Sequence, residues 1–504
     1  MKKIYVVLTG VFIILCALLI TTCNMEPSGG EIIRVPGGAF VRPGVLHIQS
    51  DFIAMRKLMD RWQGIERVWD DPYNPYRSRI VRDDLTPIIP VGPVGAEQSP
   101  QSFVESQRAG NSFFSDPHES PVAPEAIAEF RERRAADRRM FAEYRAHQAF
   151  NAFWGSADSN FTGDWVSPMF EFIGRDGVVA GTTGRVQEDI RRAYLNGVRW
   201  MITGDKRHAQ RAFTILDSYA RSLRGFQHGG FYDHVLMVGL QGQLIAAAAD
   251  IIRFGRDVVN GETSGFIPEQ FYFIDRSLRE VWLGTLIRDY VNIPPWRAGN
   301  QSSMAEAAYI ALAIYLGDVA LFEHAINFIL HAPSTGNIID YIHRFTGQMG
   351  EATRSQNYPF LAIGKMAISA EMAWRQGVDL YSAHDNAIWR AAEFASRFNL
   401  GDNNVQSSNP MLFDPHAPTF FFDDAWDSPW YGHSHRLTTA NRGYNFRAGD
   451  IIWNHYVRRR GMEMPWTEAY KPRSGDPSWH AADSPPGFTS FLYVAYELAR
   501  ELGL

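Results

Sequence analysis

Val186–Leu223 reads VQEDIRRAYLNGVRWMITGDKRHAQRAFTILDSYARSL. In its first half Ile190, Ala193, Tyr194, Gly197, Val198 and Met201 fall on one stripe, the i, i+3, i+4, i+7 spacing of an amphipathic helix. Gly204 stops that helix. Beyond Asp205 the stripe resumes with Ala209, Ala212, Phe213, Leu216, Ala220 and Leu223. Two helices joined by so short a turn run antiparallel, so the stretch is a helical hairpin.

Working outward, the same pattern predicts helices at about Val235–Phe254, Pro268–Tyr290, Ser302–Leu316, Val319–Leu330, Pro359–Trp374, Ala383–Phe398 and Phe446–Arg459. A short helix is expected around Ser50–Trp62, and the strand signals are weak until Met411–Phe422. A long series of antiparallel hairpins either stacks into an open solenoid or closes on itself. No fixed-period repeat is visible, which disfavours a repeat solenoid. The expected fold is therefore all-α dominated, an incomplete (α/α) toroid of antiparallel helical hairpins with minor β content near the C-terminal third. Residues 1–23 read as an export signal, 24–40 as a tether, and 41–504 as a single domain. Within that domain a proline-rich irregular arm covers about residues 70–124.

The chain has 504 residues, 45% hydrophobic and 21% charged, which excludes a disordered chain, a rod and a polytopic membrane protein. A formal charge of −6 argues against a general nucleic-acid binder, although a local basic cleft on an acidic protein still suits a small anion. The 13% aromatic share suits either core packing or a sugar-lined cleft. Lys2 and Lys3 precede the apolar run Ile4–Ile20, a secretory signal pattern, and Leu19-Ile20-Thr21-Thr22-Cys23 resembles a bacterial lipobox. The expectation is an exported cell-envelope lipoprotein, periplasmic or surface-exposed, lipidated on Cys23; an uncleaved membrane anchor is the alternative. Cleavage would remove Lys2 and Lys3, taking the charge from −6 to −8, and would leave no other cysteine for disulfides.

Counting up and down, the helices beginning near Val186, Val235, Ser302, Pro359 and Phe446 point the same way, so their N-termini share one rim. The preceding segments are polar: His228–His234, Trp296–Gln301, Glu351–Tyr358 and Asn441–Asn445. Helix N-termini carry unsatisfied N–H groups and partial positive charge, so such a rim favours a carboxylate. Ser303 with Glu306 reads as a capping box, and Pro359 suits a first helical turn.

Six segments then carry a resemblance. Pro43-Gly44-Val45-Leu46-His47, Trp200 with Thr203-Gly204-Asp205, Gly350-Glu351-Ala352-Thr353-Arg354-Ser355-Gln356, Gln376–Tyr381, Arg397–Gly401 and Trp453–Val457 resemble the alginate-lyase-like polysaccharide lyases, in order and over nearly the whole body. The resemblance implies an α/α toroid, β-elimination of 4-linked uronic-acid polymers such as alginate or glucuronan, an anionic polysaccharide as partner, and no obligatory cofactor. It implies that Asn300 and Arg354 neutralise the uronate carboxylate. Two positions depart from the family pattern: Gln301 and Tyr358 stand where relatives often carry histidine.

A glutamine cannot act as a base, whereas a tyrosine beside an arginine can. Tyr358 is therefore the first choice for moving the C5 proton, with His234 the alternative; Arg297, Gln301, Gln356, His228, Tyr444 and Arg442 are expected to bind substrate. Competing readings remain. Arg354 also suits a structural ion pair with Glu351, Asn300 a loop role, Tyr358 rim packing, and His455 the core. His433 and His435 with Asp423, Asp424 and Asp427 match no metal-ligand spacing. A glycoside hydrolase on the same scaffold would need two opposed carboxylates, with Glu351 and one of those aspartates as candidates. A lipoprotein that binds glycans without turnover is the third reading.

Overall fold

In the computed structural model, residues 39–63, 139, 142–175, 178–228, 233–292, 299–332, 338–343, 345–402, 437–443, 446–471 and 487–504 are described, and their regular structure is almost wholly helical. Helix α1 spans Gln49–Gln63 and α2 residues 142–155. The two-residue strand β1, Phe172–Ile173, pairs in parallel with β2, Gly225–Phe226. Between them lies the hairpin of α3 (Thr182–Thr203) and α4 (Lys206–Ser222). Gly204 closes α3 at φ 72°, a left-handed cap that only glycine takes without strain, and the Asp205 side chain caps α4 by accepting from the Arg207 amide. Next come α5 (Asp233–Phe254), α6 (residues 272–291, with two π-helical stretches), α7 (Gly299–Leu316), α8 (Val319–His331), α9 (Asn357–Arg375) and α10 (Ala383–Asn399). The series ends with α11 (residues 449–459), α12 (Pro465–Tyr470) and α13 (Ala495–Glu501).

Side-chain pairs give the direction of each helix. Asn196 meets His208 and Asp189 meets Tyr219, so α3 and α4 are antiparallel. Arg253 pairs with Asp275 and His234 with Asp289 across α5 and α6, Tyr309 with His324 across α7 and α8, and Gln356 with Asn399 beside α9 and α10, each with the same antiparallel sense. The leading helices run parallel to one another. Gly197 of α3 lies against Ile251 of α5, Gly239 and Gly242 of α5 against Ala305 and Ala308 of α7, and Phe360 stacks on Phe446 while Glu371 of α9 pairs with Arg459 of α11. The N-termini of α3, α5, α7, α9 and α11 therefore lie at one end, as the alternation predicts.

Burial explains which helices lead. Every residue of α5 from His234 to Ile252 is buried, and α7 is buried at nearly every position; a helix apolar on all faces must be surrounded by others. By length and composition α5 would span a membrane, yet it lies wholly inside the protein. The partner helices α4, α8 and α10 keep a polar face outward.

Four of the six resembling segments serve the opposite end of the bundle. Asp250, late in α5, accepts from the Gly44 and Val45 amides at 2.6 and 3.0 Å and pairs with Arg42. Gln376 bonds Val41 and Gly44, and His47 meets the Tyr194 hydroxyl at 2.6 Å. A buried ionic chain runs from Asp51 through Arg375, Glu371 and Arg459 to Glu497, joining α1, α9, α11 and α13. His455 is buried there, stacked on Tyr381 at 3.8 Å, and burial with the nearby Arg459 pushes it down to about 4.

One expected feature is corrected. Helix α7 begins at Gly299, three residues before Ser302, so Ser303 sits inside the helix and donates to the Gly299 and Asn300 carbonyls instead of capping it. Glu306 then falls in the core, bonded by Tyr290, where burial raises it to about 8. The arm at about 70–124, Met411–Phe422, Cys23 and the His433/His435 group lie outside the described residues.

Candidate active site

The segment before α9 folds back on itself. An antiparallel bridge joins Ile342 to Met349, and this sets Tyr341 beside Glu351, which lies in a 3-10 turn at Gly350–Thr353. The start of α7 enters the same corner. A Cβ at position 299 would lie 2.0 Å from the Tyr341 ring, so only glycine lets Asn300 approach.

Glu351 is the hub, 5% exposed. Its Oε2 accepts from the Asn300 amide N–H at 3.0 Å, the Asn300 Nδ2 at 2.6 Å and the Tyr341 hydroxyl at 2.6 Å; its Oε1 accepts from Arg354 at 3.1 Å. Arg354 also donates to the Tyr358 hydroxyl at 3.0 Å, its guanidinium 4.1 Å from the centre of that ring. Asn300, Arg354 and Tyr358 thus form one hydrogen-bonded chain at the shared end of the leading helices. Arg354 and Tyr358 are half-buried and can meet a ligand from solvent. The competing readings are physically present as well: Arg354 does pair with Glu351, and Tyr358 packs on Leu236, Leu240, Met304 and Leu361. The expected anion site at the α7 N-terminus is partly filled by Glu351 itself, which takes the Asn300 amide.

His234 opens α5 and is buried. Its Nε2 lies 2.9 Å from Asp289, which also bonds Arg288. Burial alone would raise Asp289, but the bonds from Arg288 and His234 hold it below the usual carboxylate range. An ionised carboxylate only accepts, so Nε2 donates to Asp289. His228 is exposed, its ring 4.1 Å from that of His234.

Two of the residues expected to contact substrate are bonded within the protein. Gln356 is 1% exposed and bonds the Ala352 and Thr438 carbonyls and Asn399, so it fastens loop 437–443 instead of facing solvent. Arg442 donates to the Phe398 carbonyl at 2.8 Å with its guanidinium over that ring, at the last turn of α10. Gln301 is half-buried at the start of α7. Arg297 and Tyr444 lie outside the described residues. Sequence reasoning missed Tyr341 and Asp289; neither sits in a polar run before a leading helix, and only tertiary contact brings them in. Among the described residues no group of histidine, cysteine and carboxylate side chains could hold a metal ion.

The alginate lyase family model matches residues 169–405, from just before β1 to just past α10, so this stretch is alginate-lyase-like and contains the whole chain from His234 to Tyr358. No curated protein matches. Among solved structures, alginate lyase A1-III from Sphingomonas species A1 is 17% identical, with 70% of this chain and 94% of that one covered and a TM-score of 0.42. An alginate lyase from Bacteroides ovatus is 14% identical, with 62% and 74% covered and a TM-score of 0.39. A variant of A1-III complexed with tetrasaccharide is 16% identical, with 68% and 86% covered and a TM-score of 0.40.

Proposed function

We propose that this protein is a polysaccharide lyase that cleaves 4-linked uronic-acid polymers of the alginate or glucuronan type by β-elimination. The observation that carries the reading is the Asn300–Glu351–Arg354–Tyr358 chain, inside the alginate-lyase-like stretch and at the common end of the leading helices. Removing the C5 proton requires that the adjacent carboxylate lose its repulsive charge, and an amide with a guanidinium supplies that stabilisation. Tyr358, bonded to Arg354 and reacting as its phenolate, takes the proton and becomes the hydroxyl. In mannuronate and glucuronate the C5 hydrogen and the O4 leaving group lie on one face, so the same hydroxyl returns the proton to the departing oxygen. His234, oriented by Asp289, is the alternative base. The meeting of the first and last helices, with α13 against α1 and α1 against α3, favours a toroidal arrangement. Export and lipidation on Cys23 belong to the same proposal, and labelling with a radioactive fatty acid, lost in Cys23→Ser, tests them.

The bonding of Glu351 weighs against its serving as the general acid of a hydrolase. The general acid of a hydrolase must be protonated, whereas both Glu351 oxygens accept hydrogen bonds and one faces a guanidinium. Incubation with polymannuronate, polyguluronate, glucuronan and glycosaminoglycans decides between the readings. A lyase creates an unsaturated uronate with new ultraviolet absorbance. Reducing ends without absorbance indicate hydrolysis, and retention without either indicates binding alone.

Asn300→Ala and Arg354→Ala are each expected to lower kcat by about 10²–10³, the usual cost of losing one donor to a developing oxyanion. Steady-state kinetics on the preferred polymer check this; full activity in either variant removes that residue from the mechanism.

A further inference from the structure

We propose that Glu351 is a positioning residue, which sets the direction of the Asn300 amide and the Arg354 guanidinium together without touching substrate. The inference rests on the lyase reading of this site and adds a residue to it. Oε2 receives both the backbone N–H and the side-chain Nδ2 of Asn300, and Oε1 receives Arg354. A carboxylate has no proton to donate, so it fixes the amino end of the Asn300 amide toward itself. The second N–H of that amino group is then the one available to a uronate carboxylate. An amide turned over by half a rotation would present its carbonyl oxygen instead, adding repulsion where a donor is needed. Tyr341 donates to the same carboxylate oxygen at 2.6 Å, and its own ring requires Gly299.

The charge balance points the same way. Glu351 is 5% exposed and its charge is met by Arg354 and by the Asn300 amide N–H at the start of α7. Arg354 is thereby held with one arm on Glu351 and another on Tyr358, so the base and the carboxylate-binding groups share one anchor. A residue that merely braced the fold would affect the enzyme equally whether or not Asn300 carried an amide.

That difference supplies the test. Glu351→Gln keeps volume but places a donor against donors. On the preferred uronan its kcat is expected to fall about 10- to 100-fold with KM within about threefold of wild type. In an Asn300→Ala background the same substitution is expected to cost several-fold less than in the wild type, because one of the two groups it positions is gone while Arg354 remains. Tyr341→Phe, a milder change that leaves the carboxylate in place, is expected to show the same coupling with a smaller loss, and it carries the test if Glu351→Gln fails to fold. Effects that multiply independently in the double variants overturn the inference while leaving the lyase reading intact. A wild-type enzyme that yields no unsaturated product from any uronan overturns both.

Discussion

Tyr358→Phe is expected to lower elimination by about 10²–10⁴, the usual worth of a positioned proton-transfer group. The substitution deletes one hydroxyl and keeps the ring, so packing against Leu236, Leu240, Met304 and Leu361 persists and thermal stability should hardly change. What is lost is the oxygen that meets Arg354 at 3.0 Å. Arg354 keeps its bond to Glu351, so carboxylate binding should survive and the loss should appear in kcat more than in KM. Single-turnover kinetics on the preferred polymer, with a melting curve beside them, check both halves. If Tyr358→Phe stays active while His234→Ala is dead, the base is His234, held by Asp289. A rate insensitive to both substitutions returns the hydrolase and binding readings to the front.

Glu371→Gln is expected to destabilise the protein by about 3–5 kcal/mol, the cost of removing one partner from a buried ion pair. Glu371 is 1% exposed and joins Arg375 and Arg459, each at 2.8 Å. Burial alone would raise its carboxyl, but the charges of Arg459 and Arg375 outweigh this and hold it at about 2, against 4.5 ordinarily. A carboxyl depressed in the folded state stabilises above its unfolded pKa, and that contribution is lost as pH falls from 4.5 toward 2. Asp51, at the end of the same chain, has the opposite sign: burial raises it to about 6 in spite of Arg375, so it costs stability as pH rises from 3.8 toward 6. Urea titrations across this acid range should show a lower midpoint for Glu371→Gln at neutral pH and a flatter acid-side slope. A midpoint equal to that of wild type would mean the guanidiniums find other partners.

The helical hairpins were legible because their signal is local. The stripe from Ile190 to Met201 and its resumption beyond Asp205 need only the helical repeat, and a short turn then forces the antiparallel sense. The shared end of the leading helices followed from counting, and with it the meeting of Asn300, Arg354 and Tyr358. Helix starts were less legible. Ser303 and Glu306 have the spacing of a capping box, but Glu351 arrives from another segment to take the Asn300 amide, and α7 begins at Gly299.

Tertiary structure alone decided what each polar residue does. Gln356 and Arg354 stand two positions apart in one motif, yet one is spent on the Ala352 and Thr438 carbonyls while the other faces Tyr358. Pro43–His47 looked no different in kind from Gly350–Gln356, but it fastens the chain to Asp250, about 24 Å along α5 from His234. Periodicity is written in neighbouring residues and survives in the sequence. The use of a carboxylate or an amide depends on which donors and acceptors distant segments bring within about 3 Å, and that is fixed only when the chain has packed.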